Sequence, residues 1–129
     1  MNLLLDTHAL AWWLLDDSRL SRRVAALIAD TRSNVHVSAV SAYEAALKHR
    51  LGKWPEAAPL AGAFEQIVAA EGFILLPVTG RHAARAGFFD AAHRDPFDRI
   101  LAAQAEIEEL TLATNDGRFE DFGTRTVWG

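Results

Sequence analysis

The chain has no cysteine among its 129 residues. That absence excludes disulfide bridges, thiolate zinc sites and a cysteine nucleophile. No apolar run approaches the roughly 20 residues of a membrane-spanning helix, and the first residues lack the basic region and cleavage-site pattern of a signal peptide. Internal repeats, low-complexity tracts and a domain linker are also absent. We therefore expect one domain over residues 1–129, located in the cytoplasm and without a membrane partner.

The chain also lacks the surplus of positive charge that is typical of proteins that bind nucleic acids. It carries 13 Lys and Arg against 17 Asp and Glu, a formal net charge of −4. The four acids considered below account for the whole excess of negative charge. Divalent ions bound among them would make the local field much less negative. Net charge therefore does not exclude a partner that carries phosphates.

Half of the residues are apolar, which is enough for a real core at this length. Short continuous apolar runs indicate strands that are covered on both faces. Because strands separated by helices imply a parallel sheet, we predict a three-layer α/β fold with a parallel sheet of four to five strands and helices on both faces. The predicted strands are 2–6, 35–38, 73–78, 111–114 and a short fifth at 124–128; the predicted helices are 8–16, 22–30, 41–51, 59–71, 79–89 and one that starts at 96.

Several predicted helix ends carry residues that suit them. Ser41 is expected to cap the third helix, and Gly52 is expected to end it in the left-handed conformation. Asp95 and Pro96 suit the N-cap and the first position of the last helix. The two prolines of segment 53–59 predict a loop.

Four carboxylates border the predicted strands. They are Asp6 at the end of the first strand, Glu44 on the helix after the second, Asp98 in the first turn of the last helix, and Asp116 after the fourth strand. In open α/β sheets, ligands bind outside the carboxyl ends of the strands, and the predicted topology sends all four acids to that edge. Acids gathered there repel one another unless a cation lies between them. The arrangement therefore predicts a divalent-metal site.

Each acid taken alone also has an ordinary structural explanation. Glu44 could pair with Lys48 one helical turn later. Asp98 could be favourable charge in the first turn of a helix, Asp116 could serve a turn, and Asp6 could be a solvated strand end. What favours the metal site is the shared edge, together with the largely apolar helix segment around Glu44, where a carboxylate without a partner is unfavourable.

Oxygen ligands suit magnesium, which takes one or two carboxylates directly and keeps several waters. Spacing does not decide whether one ion or two would bind. Thr7, Thr114 and Asn115 are neutral hydrogen-bonding residues beside the acids, able to orient a ligand or a water.

Taken together, these segments resemble the PIN-domain ribonucleases, and most closely the VapC toxins of bacterial toxin–antitoxin pairs. The likeness covers nearly the whole chain. The segments that carry it are LLLDTHAL at 3–10, VSAVSAYE at 37–44 with the following Lys48 and LGK at 51–53, DPFDR at 95–99, and TND at 114–116.

By this resemblance, Asp6, Glu44 and Asp98 match the three core acids of the family, and Asp116 matches the more variable fourth. Asp95 matches an acid found in one branch of the family, so a helix cap and a neighbour of the metal ligands both stay open as its role. The resemblance implies an endoribonuclease that depends on Mg²⁺ or Mn²⁺. It also implies a homodimer, silenced by a small cognate antitoxin, with operator DNA bound only through the joint complex.

Among the remaining candidates, Lys48 shares a helix face with Glu44 and could contact RNA phosphates. Arg99 follows Asp98 with about 100° of helix rotation between them, which argues against a direct role in the site. The five histidines show no HxxxH spacing, so a zinc site is not expected, and His8 is a candidate only as a neighbour of Asp6.

Three alternative functions stay open. A PIN-type ribonuclease need not be a toxin, and a module with this fold could bind an antitoxin and an operator without cleaving RNA. A phospho-acceptor signalling domain also holds magnesium with acids, but it needs a paired acidic cluster after the first strand and a lysine after a late strand. The chain has Thr7 and His8 after Asp6 and no lysine after Lys53, which argues against that class.

Overall fold

A computed structural model describes all residues 1–129 and contains one parallel sheet of five strands in the order β3-β2-β1-β4-β5. β1 lies at the centre of the sheet. Its Leu3 is paired with Val35 of β2 on one side and with Thr111 of β4 on the other. The strands are β1 Asn2–Leu5, β2 Asn34–Ser38, β3 Ile74–Leu76, β4 Thr111–Ala113 and β5 Thr126–Val127.

Six α-helices connect and cover the strands. None of them combines the length and apolar character needed to cross a membrane. The helices are α1 Thr7–Leu14, α2 Arg22–Ala29, α3 Ala39–Arg50, α4 Ala58–Ala70, α5 Gly80–Phe88 and α6 Pro96–Ile107, with short 3₁₀ helices at Pro55–Ala57 and Gly117–Phe122.

The central strand shows why the fold has three layers. Leu3 and Leu5 pack into a core formed with α1 to α4, whereas Leu4 points to the opposite face and packs with α5 and α6. All three leucines are completely buried. Alternate residues of a strand face opposite sides of its sheet, so a strand this apolar needs cover on both. The predicted three-layer α/β fold with a parallel sheet is confirmed.

Two local predictions were wrong, and one element was missed. Ser41 does not cap α3: Ser38 does, because its hydroxyl accepts from the amide of Val40 at 3.0 Å, and the helix begins directly after β2. Segment 53–59 is not a plain loop, since it contains a 3₁₀ turn and the start of α4. Prolines fit the first positions of helices as readily as they fit loops. The 3₁₀ helix after Asp116 was not predicted at all.

The strand order determines where a ligand can bind. From β1 the chain builds β2 and β3 on one side and then returns to build β4 and β5 on the other. The connections therefore diverge at the carboxyl ends of β1 and β4, which is the point where open α/β sheets form a crevice. Asp6 follows β1 directly, and Asp116 follows β4.

Candidate metal centre

An open pocket of about 380 Å³ lies at this crevice. It brings together all four acids predicted from the sequence, along with most of the residues predicted to support them. Thr114 does not line the pocket; it is buried, and its hydroxyl accepts a hydrogen bond from the amide of Asp116 at 3.1 Å. The lining residues are Asp6, Thr7, His8, Trp12, Glu44, Lys48, Asp95, Asp98, Asn115, Asp116, Arg118 and Phe119.

Asp6 is the N-cap of α1, and its Oδ1 accepts from the amide of Ala9 at 2.7 Å. Burial raises the pKa of its carboxyl to about 6, and the negative charges of Asp98 and Glu44 act in the same direction. Hydrogen bonds from Thr114 and Ala9 offset part of that rise. Asp6 is therefore a carboxylate whose ionised form lacks a positive partner in the protein alone.

Glu44 is buried on α3 and has both of its oxygens engaged. The Thr7 hydroxyl donates to Oε1 at 2.6 Å, and the Lys48 ammonium donates to Oε2 at 2.6 Å. Ser41 in turn contacts the Thr7 hydroxyl at 2.9 Å. The sequence left two roles open for Glu44, an i,i+4 pair with Lys48 and a place in the acidic pocket. The structure shows both.

Asp98 lies in the first turn of α6, and its Oδ2 is 2.7 Å from Nε2 of His93. Burial raises the pKa of Asp98; the hydrogen bond from His93 lowers it in part, and the charges of Asp95 and Glu44 raise it. Asp95 is the N-cap of α6 and accepts from the amides of Phe97 and Asp98 at 2.9 and 3.1 Å. Asp95 therefore both caps α6 and lines the pocket.

Asp116, like Glu44, already has a cationic partner. Arg118 binds it in a bidentate manner, with Nε 3.0 Å from Oδ1 and Nη2 2.7 Å from Oδ2. These hydrogen bonds lower the pKa of Asp116. Its Oδ1 also accepts from the amide of Arg118 at 2.9 Å and so caps the 3₁₀ helix.

The most compact set of possible metal ligands is not the predicted group of four acids. It consists of His93, Asp98 and Asp116, whose ligand atoms all lie within 4.8 Å of one another. Five carboxylates, Lys48 and Arg118 line the pocket, so its formal charge is −3 with His8 neutral. An excess of carboxylate oxygen over cation is the donor set that Mg²⁺ and Mn²⁺ prefer. The residues present therefore fit a divalent ion.

Two residues that bind pocket acids, His93 on Asp98 and Arg118 on Asp116, were missed by sequence reasoning. His93 lies five positions before Asp98, on the segment between α5 and α6, and no helical or strand period links the two. Arg118 follows Asp116 by two residues, where a local ion pair could have been expected from charge alone. Arg99, by contrast, is absent from the lining. Its guanidinium donates to carbonyls of the α5–α6 connection, including those of Phe89 and His93.

These features define an α/β domain with an acid-lined pocket suited to a divalent cation at the switch point of its sheet. The PIN domain family model matches residues 3–124. The chain therefore belongs to the PIN domain family. No curated protein matches it in sequence.

Several solved structures share the fold. VapBC2 from Rickettsia felis, bound to a DNA fragment from its promoter, aligns with a TM-score of 0.71 and 13% identity over 100% of both chains. Mycobacterium tuberculosis VapC20, a toxin that cleaves the sarcin–ricin loop, aligns with a TM-score of 0.70 and 19% identity over 98% of this chain and 99% of its own. FitAcB from Neisseria gonorrhoeae aligns at 0.65 with 26% identity over 96% of this chain and 95% of its own.

Proposed function

We propose that this protein is an endoribonuclease that depends on Mg²⁺ or Mn²⁺ and that it acts as the toxin of a toxin–antitoxin pair. The observation that carries the nuclease proposal is the single pocket in which all four predicted acids meet two basic side chains. The fold neighbours support the toxin proposal, because VapC20 is a toxin that cleaves the sarcin–ricin loop and VapBC2 is bound to a DNA fragment from its promoter.

In this proposal Asp6, Asp98 and Asp116 supply oxygens to the metal, and Glu44 completes the set. A bound divalent ion would lower the pKa of a water and neutralise charge that develops on a phosphodiester. The protein's own contribution is to hold the carboxylates in place. Thr7 and Lys48 orient Glu44, and Asp95 fixes the first turn that carries Asp98. The Thr114 hydroxyl holds the amide of Asp116, and Asn115 faces the pocket between them.

Lys48 and Arg118 are the proposed contacts to RNA phosphates. Each is paired with a pocket acid in the protein alone, at 2.6 Å to Glu44 and 2.7 Å to Asp116. If the same acids held a divalent ion, they would attract Lys48 and Arg118 less strongly. The two basic side chains would then be available to a phosphodiester, although the chain as a whole has a net charge of −4.

The proposed protein partners are a small cognate antitoxin and a second copy of this chain. Operator DNA is proposed as a partner only of the joint complex, because the chain itself is acidic. For the homodimer we propose the dimer face, defined here as Ala39, Val40, Tyr43, Val78, Pro96, Phe97 and Ile100, which surrounds a groove of about 460 Å³ and contains no charged side chain.

The nuclease proposal is tested with purified protein and labelled RNA. Cleavage should require Mg²⁺ or Mn²⁺, stop with a chelator, and be lost in Asp6→Asn and in Asp98→Asn. Asp90→Asn is the matched control, because Asp90 is an exposed aspartate outside the pocket. Cleavage that survived both pocket substitutions would overturn the assignment. Sequencing of the cleaved ends after induction in cells would identify the RNA target.

The toxin proposal has its own test. Expression should arrest growth, and the arrest should vanish with Asp98→Asn. A short gene next to this one that encodes a DNA-binding protein would support a toxin; robust RNA cleavage without growth arrest would favour a PIN-type ribonuclease that is not a toxin. RNA binding and partner binding without any cleavage would favour an inactive binding module. Uptake of phosphate from a small phosphodonor would instead favour the signalling class.

A further inference from the structure

The rim of the acidic pocket carries a stack of aromatic rings. The His8 imidazole lies against the Trp54 indole, with ring centroids 4.7 Å apart and an interplanar angle of 26°. Trp12 is a second aromatic neighbour of the imidazole, with ring centroids 5.6 Å apart and an interplanar angle of 52°. An offset, near-parallel pair of this kind is a favourable aromatic arrangement. Three aromatic side chains, two from α1 and one from the segment after α3, thus form one surface, which we call the aromatic wall.

The aromatic wall adjoins the acids directly. His8 is the second residue of α1, two positions after Asp6, and both residues line the pocket. His8 is exposed, whereas Trp12 is buried. Trp54 supports the His8 ring but does not line the pocket itself. The imidazole is therefore the most exposed of the three rings on the pocket side.

The Lys48 side chain connects the wall to the acids. Its ammonium lies 5.9 Å from the Trp54 ring centroid and 2.6 Å from the Glu44 carboxylate. A cation within about 6 Å of an indole is attracted to the ring face. One short stretch of surface thus offers a cation for a phosphate and an aromatic face for a planar ring, which are the two parts of a nucleotide.

We propose that His8, supported by Trp12 and Trp54, stacks against an unpaired nucleobase of RNA next to the phosphodiester held at the acids. Single-stranded nucleic acids are recognised by bases that stack on aromatic side chains beside a basic groove. This inference rests on the proposed ribonuclease function. It adds a subsite for one unpaired base beside the phosphodiester.

The test uses fluorescein-labelled single-stranded RNA oligonucleotides that contain the mapped cleavage point and one abasic nucleotide, moved position by position along the strand. With Mg²⁺ or Mn²⁺ and the wild-type protein, an abasic nucleotide at one position beside the cleaved bond should raise KM by about 5-fold to 100-fold. This is the range for the loss of one stacked base. In His8→Ala the intact oligonucleotide should show a KM raised to a similar degree, and the abasic nucleotide should have no further effect. In His8→Phe, which restores an aromatic ring, sensitivity to the abasic position should return.

His49→Ala is the matched control, because His49 is an exposed histidine on α3 outside the pocket and the wall. It should show the wild-type response at every abasic position. Equal KM values and equal abasic sensitivity in wild type and His8→Ala would overturn the inference. This is also the result expected if the aromatic wall binds a protein partner and not RNA. Failure of the wild-type protein to cleave any RNA with either metal would instead overturn the proposed function on which the inference rests.

Discussion

At the scale of single residues, the protein alone does not favour the ionised form of every pocket acid. Asp6 is buried beside Asp98 and Glu44 with no cation of its own, and burial raises its pKa to about 6. Lys48 forms its ion pair with Glu44, and Arg118 forms its ion pair with Asp116. The sequence predicted the acids, because each follows from strand ends and helix turns. It did not predict which acid receives a cation, since that depends on side-chain contacts between distant segments.

The raised pKa of Asp6 predicts a pH dependence of the metal-free protein. The carboxyl titrates near 3.8 when unfolded and near 6 when folded, so between these values the folded state binds more protons. The free energy of unfolding should therefore fall as pH rises from about 4 to about 6, by about 3 kcal/mol from this group. Asp98, whose pKa is also raised, acts in the same direction. Denaturant unfolding with a chelator present, at several pH values, measures the effect.

Asp6→Asn is the informative variant for this prediction. Asparagine can still accept from the amide of Ala9 and so cap α1, but it does not titrate. The variant should lose most of the fall in stability between pH 4 and 6, and at pH 7 it should be more stable than the wild type in chelator. Added Mn²⁺ should stabilise the wild type more than the variant. Identical pH profiles for the two proteins would show that Asp6 is not the group responsible.

His93 is predicted to hold Asp98 for metal binding. It is buried, its Nε2 is 2.7 Å from Asp98 Oδ2, and its ring packs 5.6 Å from that of Phe122. Loss of a group that orients a metal ligand typically weakens metal affinity by about 10-fold to 100-fold. His93→Ala should weaken Mn²⁺ binding to that degree, measured by titration calorimetry. His93→Gln, whose amide nitrogen can occupy a similar position, should recover part of it. Equal affinity in wild type and His93→Ala would refute the role.

At the scale of secondary structure elements, the segment between α5 and α6 shows where sequence reasoning ends. The cap Asp95 and the helix after it were predicted correctly from local chemistry. The path of residues 89–95 was not, because it depends on one side chain from the following helix. Arg99 lies on α6 and donates to the carbonyls of Ala86, Phe89 and His93. Nothing in the spacing of charged residues distinguishes this arginine from one in solvent.

Arg99 is predicted to hold this connection and, through it, His93. Arg99→Lys keeps the charge, but a single ammonium cannot reproduce the fork of donors that reaches several carbonyls. The free energy of unfolding should fall by about 3 kcal/mol, the effect of losing one or two charge-assisted hydrogen bonds, and Mn²⁺ affinity should fall with it. Urea unfolding measures the first and calorimetry the second. Arg81→Lys, at an exposed position on α5, is the control; equal stability of both variants would contradict the prediction.

At the scale of the whole molecule, the layer arrangement was predictable and the neighbours of each strand were not. Alternating strands and helices predicted a parallel sheet, which the structure contains. Strand order depends on hydrogen bonds between segments far apart in sequence, such as those that pair β1 with β4. Because the two cores share the central strand through Leu3, Leu4 and Leu5, we expect the whole chain to unfold as one domain.

The dimer face leads to a prediction about association. Tyr43 is 64% exposed and packs edge-on against Phe97 at 5.4 Å, and Val78 beside them is 38% exposed. A charge placed on this face would be buried without a partner in a dimer. Val78→Glu should therefore weaken dimerisation by at least about tenfold, measured by sedimentation equilibrium, and should leave the monomer folded because its position is partly in solvent.

Phe88→Glu provides the comparison that makes this test specific. Phe88 is 82% exposed, more than any other large apolar side chain, yet it lies outside the dimer face at the end of α5. If association depended only on exposed apolar area, Phe88→Glu would weaken it at least as much as Val78→Glu. If the groove around Tyr43 and Phe97 forms the contact, only Val78→Glu should do so. A wild-type protein that stays monomeric at high concentration, or a loss of dimer confined to Phe88→Glu, would refute the assignment of this face.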